Sequence, residues 1–146
     1  MNKFRKILFV EDNPPDVELT IEALSVHNLS NQLITLNDGV EVLDYLLYEG
    51  KYKNRERENP AVILLDIKMP RIDGIEVLQA IKSHPKLKII PIVMLTSSRE
   101  ELDLKKCYEL GANAYVVKPV NFHDFIDAIK TLGMFWAIIN ELPPIE

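Results

Sequence analysis

Five short apolar runs, each separated from the next by a helical pattern, set the strongest limit on how this 146-residue chain can fold. They lie at about 6–11, 32–37, 61–66, 90–96 and 114–118. Strands that alternate with helices indicate a parallel sheet covered by helices. The third, fourth and fifth runs are continuously apolar, as strands buried on both faces are. With 47% hydrophobic residues the chain can bury the core of one domain. The expected fold class is α/β.

The helical patterns have recognisable ends and faces. Pro14-Pro15 suits a first turn, with Asn13 as its cap. A second helix over about 38–48 would bury Val40, Leu43 and Leu47, and a third over 74–83 would bury Ile75, Leu78 and Ile81. The fourth opens at Ser97 or Ser98, carries Glu100 and Glu101 in its first turn, and ends before Gly111. Its expected buried face is Leu104, Cys107 and Tyr108. From Asn121, a cap, the fifth spaces Phe125, Ile129, Leu132, Trp136 and Ile139 four and three apart. That stripe is long enough to leave the edge of a small sheet, with Trp136 sealing the core and Phe135 and Ile138 off the stripe. Residues 1–146 are therefore expected to form a single domain with an extended C-terminal helix and no output domain. The mixed charges of residues 49–59 read as a solvated loop.

Charge and cysteine usage exclude several classes. Seventeen basic against 22 acidic residues give a net charge of -5, which argues against a general nucleic-acid or anionic-membrane binder. The lone Cys107 cannot form an internal disulfide, so a reducing cytosol fits and the expected location is cytoplasmic. Lys3, Arg5 and Lys6 precede Ile7-Leu8-Phe9-Val10 as in a signal peptide, but Glu11-Asp12 ends the apolar run too early. No stretch approaches the ~20 apolar residues of a membrane span.

Polar residues punctuate the strand ends. The first run ends in Glu11-Asp12, the third in Asp66, the fourth in Thr96 and the fifth in Lys118, which Pro119 follows. A parallel sheet gathers these at one edge. Clustered carboxylates repel unless a cation binds them, and oxygen ligands suit Mg²⁺. A nearby lysine and threonine are what a tetrahedral oxyanion needs. The pattern implies a Mg²⁺-dependent phosphoryl-accepting site with Asp66 as candidate nucleophile. An Asp at a strand end can equally cap the following turn. Met69-Pro70-Arg71-Ile72-Asp73-Gly74 favours the site, because Pro70 and Gly74 build a tight loop that directs backbone groups toward the Asp66 carboxylate. Pro119 ends the fifth strand, and a cis bond before it could aim Lys118 inward.

Glu11, Asp12, Asp66, Thr96, Lys118 and the 69–74 loop together resemble the receiver domain of two-component response regulators, over nearly the whole chain. The resemblance implies a flavodoxin-like (βα)5 doubly wound sheet of order 2-1-3-4-5. It implies that Asp66 accepts a phosphoryl group from a phosphohistidine on a sensor histidine kinase, or exchanges it with a phosphotransfer protein in a relay. Asp12 and Asp66 would bind Mg²⁺ directly, Glu11 through water, and the Lys68 backbone carbonyl would complete the protein ligands. Thr96 and Lys118 would hold the phosphoryl oxygens. Tyr115 matches the aromatic switch position, filling space that Thr96 vacates when it turns to the phosphoryl group. Such a protein is a signalling phosphoacceptor rather than an enzyme, catalysing only its own phosphorylation and slow autodephosphorylation. Lys68 is expected to lengthen the lifetime of phospho-Asp66. Polar Asp16, Glu18, Thr20 and Glu22 on the first helix offer surface for partner choice. The long loop 50–59 and Phe135-Trp136 followed by Leu142-Pro143 are similar to stand-alone regulators paired with phytochromes. Those form homodimers through helices four and five, which makes Phe135 and Ile138 interface candidates.

Other classes fit less well. A dehalogenase-type phosphatase also uses a strand-end Asp and Mg²⁺, but needs a second Asp two residues on, where Lys68 stands. A flavin binder needs a phosphate cradle after the first strand, and Glu11-Asp12-Asn13-Pro14-Pro15 is acidic and lacks glycine. The complete set of site residues argues against a degenerate receiver that serves as a constitutive adaptor.

Overall fold

Successive side chains of a strand point to opposite faces of its sheet, so a strand apolar at every position needs a core on each side. The computed structural model, which describes residues 6–25, 33–118, 122–134 and 136, has that arrangement. Its elements are β1 Ile7–Val10, α1 Pro14–Ser25, β2 Leu33–Leu36, α2 Gly39–Leu46, β3 Val62–Leu65, α3 Gly74–Ser83, β4 Ile92–Thr96, α4 Glu101–Glu109, β5 Ala114–Val117 and α5 Phe122–Met134. All five strands pair in parallel, in the order β2-β1-β3-β4-β5. This is the doubly wound, flavodoxin-like sheet expected.

One core combines Leu8, Val10, Ile63, Leu65, Ile92 and Met94 with Val42, Leu46, Val77, Leu78, Ile81 and Cys107, from α2, α3 and α4. The alternate residues Ile7, Phe9, Val62, Leu64, Val93 and Leu95 join Ala23, Leu24 and Ile129, from α1 and α5. Each fully buried large side chain contributes about 1.5–3 kcal/mol. Leu132 and Trp136 pack against this second core, as the stripe on the fifth helix requires. Asn121, Phe135, Ile138, Ile139, the Leu142-Pro143 ending, the Pro119 bond and the Phe125 side chain fall outside the described residues.

Two helices present faces other than those expected. In α2 the buried residues are Gly39, Val42, Tyr45 and Leu46, whereas Val40 and Leu43 are half-buried and Leu47 is exposed. The rotation follows from close packing at Gly39, where an added Cβ would lie 2.5 Å from Ile72 Cγ1 and 2.6 Å from Val77 Cγ2. The second helix also stops at Leu46. In α3, Leu78 and Ile81 are buried as expected, with Val77, and Ile75 is half-buried. The fourth helix starts at Glu101, not at Ser97 or Ser98, and buries Cys107 alone. Leu104 is 39% and Tyr108 50% exposed. Ser98 is withheld from the helix by other bonds. Its hydroxyl donates to Asp103 (2.7 Å), and its carbonyl accepts from the Tyr115 hydroxyl (3.1 Å).

The 49–59 segment is mostly exposed, but Arg55 ties it to α2. The Arg55 guanidinium lies 3.9 Å from the Tyr45 ring centre and 4.2 Å from that of Tyr48, and its Nε donates to the Tyr45 carbonyl (2.7 Å). Among the described residues no helix is long and apolar enough to cross a membrane.

Candidate functional site

Strand register brings the expected residues to one edge. Val10 pairs with Leu65, and the ladders run one residue further. Glu11 N–H donates to the Leu36 carbonyl (3.0 Å) and Asp66 N–H to the Val10 carbonyl (3.2 Å). Glu11 and Asp66 therefore leave neighbouring strands side by side, at the point where the chain reverses its winding and sites in such sheets form. On the other side Thr96 pairs with Val117, and Lys118 N–H donates to the Thr96 carbonyl (2.7 Å).

Carboxylate oxygens of Glu11, Asp12 and Asp66 lie within 4.8 Å of one another. Glu11 and Asp66 are buried and Asp12 is exposed. The Lys118 ammonium reaches across the sheet to bond Glu11 Oε1 and sits 3.4 Å from Asp66 Oδ2. Asp66 Oδ1 accepts the Ile67 N–H (2.8 Å), which leaves Oδ2 as the oxygen facing Lys118. The 69–74 loop acts on the backbone of Asp66 rather than on its carboxylate. An added Cβ on Gly74 would lie 2.0 Å from the Asp66 carbonyl oxygen, and Gly74 N–H donates to the Ile67 carbonyl (2.7 Å). Only glycine permits α3 to start this close to the strand end. Asp73 and Glu76 form a capping box there. Arg71, in the left-handed region at φ 68, is held by an ion pair with Asp38 (2.6 Å).

Two residues on α1 depart from their reading as polar docking surface. Thr20 is buried, its hydroxyl donating to the Asp16 carbonyl (2.7 Å). Asp16 Oδ2 lies 2.9 Å from Lys118 Nζ, a third carboxylate partner for that ammonium. Local sequence carries no signal for this pairing, because its partner lies 102 positions away.

Burial pushes the Glu11 carboxyl up to about 7 against the pull of its Lys118 hydrogen bond, and the Asp66 charge adds to the rise. Burial also works against the Lys118 charge. Hydrogen bonds to Glu11 and Asp16, with the charges of Asp66 and Glu11, outweigh it and hold the ammonium above the usual lysine range. One cation thus faces the carboxylates of Glu11, Asp16 and Asp66, with Asp12 beside them. An all-oxygen donor set with excess negative charge fits a hard divalent cation. Beyond the acids, Thr96 is fully buried and its Oγ1 accepts the Ser98 N–H (3.3 Å). Tyr115 is half-buried, and Lys68 is exposed two residues past Asp66.

The chain is similar to known proteins over nearly its whole length. The response regulator receiver domain model matches residues 7–130. The response regulator Rcp1 of Synechocystis sp. is 39% identical over 142 residues, covering 97% of this chain and 95% of that protein. Its Mn²⁺-bound structure has a TM-score of 0.88, covering 96% of this chain and 99% of that one. The phosphorylated cyanobacterial phytochrome response regulator RcpA is 40% identical with a TM-score of 0.90, covering 97% of this chain and all of that one (100%). The bacteriophytochrome response regulator RtBRR is 56% identical with a TM-score of 0.76, covering 97% and 86% respectively. The chain therefore belongs to the response regulator receiver domain family, whose members accept a phosphoryl group on an aspartate in two-component signalling.

Proposed function

We propose that Asp66 is the phosphoacceptor and that the donor is the phosphohistidine of a phytochrome-type sensor kinase, or of a phosphotransfer protein in a relay. The observation that carries this reading is the environment of one oxygen. Asp66 Oδ2 faces the Lys118 ammonium at 3.4 Å, within the cluster formed with Glu11 and Asp12, while Oδ1 is held by the Ile67 N–H. Asp66 Oδ2 attacks phosphorus in line, the P–N bond breaks, and the imidazole leaves. The product is an acyl phosphate whose oxygens meet Lys118 and Thr96. Such transfer needs positioning and charge stabilisation more than covalent help. Glu11, Asp12, Asp66 and the Lys68 backbone carbonyl would hold Mg²⁺, which supplies positive charge to the transferring oxygens.

The added charge and acceptors draw the Thr96 hydroxyl toward the phosphoryl group. Its present bond from Ser98 N–H would be given up, and Tyr115, already bonded to the Ser98 carbonyl, would report that change at α4. Output by protein contact is supported by the exposed Leu102, Leu104 and Tyr108 on α4. A homodimer through α4, β5 and α5 is the form we favour, with Phe135 and Ile138 as its interface candidates. The phytochrome pairing is supported by the likeness to Rcp1, RcpA and RtBRR. We place this switch in the cytoplasm.

Intact mass after incubation with Mg²⁺ and acetyl phosphate tests the phosphoacceptor. One added phosphoryl group is expected, absent in Asp66→Asn and absent without Mg²⁺. An adduct that persists in Asp66→Asn would reject the assignment. Phosphotransfer from a purified phytochrome kinase, compared with unrelated kinases, tests the pairing.

A further inference from the structure

We infer that Asp16 is a positioning residue for Lys118, holding the ammonium beside Asp66 from outside the acid cluster. This rests on the reading of Asp66 as phosphoacceptor. A lysine ammonium has three N–H donors and no acceptor. In this structure three carboxylates surround it: Glu11, Asp16 (2.9 Å) and Asp66 (3.4 Å). Glu11 and Asp66 belong to the close cluster with Asp12 and are the oxygens a divalent cation would claim. Asp16 lies outside that set and comes from a different layer, the first turn of α1.

Its backbone is fixed at both ends. Asp16 N–H donates to the Asn13 side chain (3.0 Å), and its carbonyl accepts the hydroxyl of the fully buried Thr20 (2.7 Å). The carboxylate therefore projects from a rigid turn. A divalent cation held by the cluster would compete with Lys118 for Glu11 and Asp66 and would repel the ammonium. Asp16 is the partner that keeps the ammonium from swinging out into solvent. The lysine stem is flexible, so the position of its ammonium depends on the partners it bonds.

The test compares wild type with Asp16→Asn, which keeps shape but loses charge, and Asp16→Glu, which restores the charge. Losing one charge-assisted bond that orients the ammonium should slow phosphorylation by acetyl phosphate at saturating Mg²⁺ about tenfold. Mg²⁺ affinity, measured by calorimetry, should stay within about twofold because Asp16 is not among the clustered ligands. Asp16→Glu should recover much of the rate. At saturating Mg²⁺ the Lys118 ammonium should give a protected NMR signal that broadens away in Asp16→Asn, whereas in chelator Glu11 and Asp66 should keep it protected in both proteins. Wild-type phosphorylation rates in Asp16→Asn, or a loss of Mg²⁺ affinity parallel to the loss of rate, would overturn the inference. If wild type itself accepts no phosphoryl group, the phosphoacceptor reading fails and the ammonium signal still decides the role of Asp16.

Discussion

Replacing Glu11 by glutamine should make the metal-free protein more stable at neutral pH. Glu11 is 1% exposed, and burial raises its carboxyl from an ordinary 4.5 to about 7. Between those values the folded protein holds a proton that the unfolded chain has released. The associated stability is fully present below about pH 4.5 and is lost as pH rises through about 7. A displacement of this size corresponds to about 3 kcal/mol at most. Glutamine cannot titrate, and like the protonated carboxyl it offers one carbonyl oxygen, enough for the Lys118 bond, while its NH2 group cannot replace Oε2 as acceptor of the Asn13 N–H. In chelator, wild type and Glu11→Gln should be nearly equal in stability around pH 4.5. The variant should then gain on wild type by up to ~3 kcal/mol near pH 7.5. Urea unfolding followed by the fluorescence of the single tryptophan, repeated across that range, measures the difference directly. Mg²⁺ should then stabilise wild type more than the variant, because the ionised carboxylate is the better ligand. Stability curves that run parallel from pH 4.5 to 7.5 would refute the account of Glu11 as a buried, charge-strained acid.

Gly74→Ala puts a methyl group against the carbonyl of Asp66, where only backbone could yield. It should cost about 3 kcal/mol in denaturant unfolding and slow phosphorylation as Asp66, the proposed nucleophile, is displaced. Lys68 is exposed next to the nucleophile loop, so Lys68→Asn should shorten the phospho-Asp66 lifetime severalfold in a phosphate-release assay; an unchanged or longer lifetime would dismiss its shielding role. Tyr115→Phe removes the hydroxyl bond to the Ser98 carbonyl and should cost about 1 kcal/mol, with faster amide exchange at the start of α4. The Cys107 thiol is fully buried, and burial pushes it up to about 11, so its modification by thiol reagents should track opening of the fold rather than reagent strength.

The sheet and the acid cluster were legible in the chain because they depend on local facts that a parallel topology makes global. The runs of β1, β3 and β4 are continuous and these central strands are buried throughout, whereas the edge strands β2 and β5, the fifth run included, are only partly covered. Each chemically telling residue follows such a run, so Glu11, Asp66, Thr96 and Lys118 had to arrive at the same edge. Helix faces were less legible. Periodicity marks Leu104, Cys107 and Tyr108 as one stripe of α4, but the same period serves a buried face and one left open to solvent. On α2 the contact of Gly39 with Ile72 and Val77 turned the helix away from its most apolar-looking side.

The strand-end residues and their order were thus determined by sequence, through the period of two and the sharing of strand polarity. Tertiary structure alone decided how their charges are shared. Asp16 reads as helix surface, and its pairing with Lys118 spans 102 positions of chain. Ser98 reads as the start of a helix, and the bonds of its hydroxyl to Asp103 and of its carbonyl to Tyr115 make it the joint between β4 and α4 instead. Charge and hydrogen-bond partners depend on distances of a few ångströms between separate layers. Those distances come from how the helices seat on the sheet, which no single segment encodes.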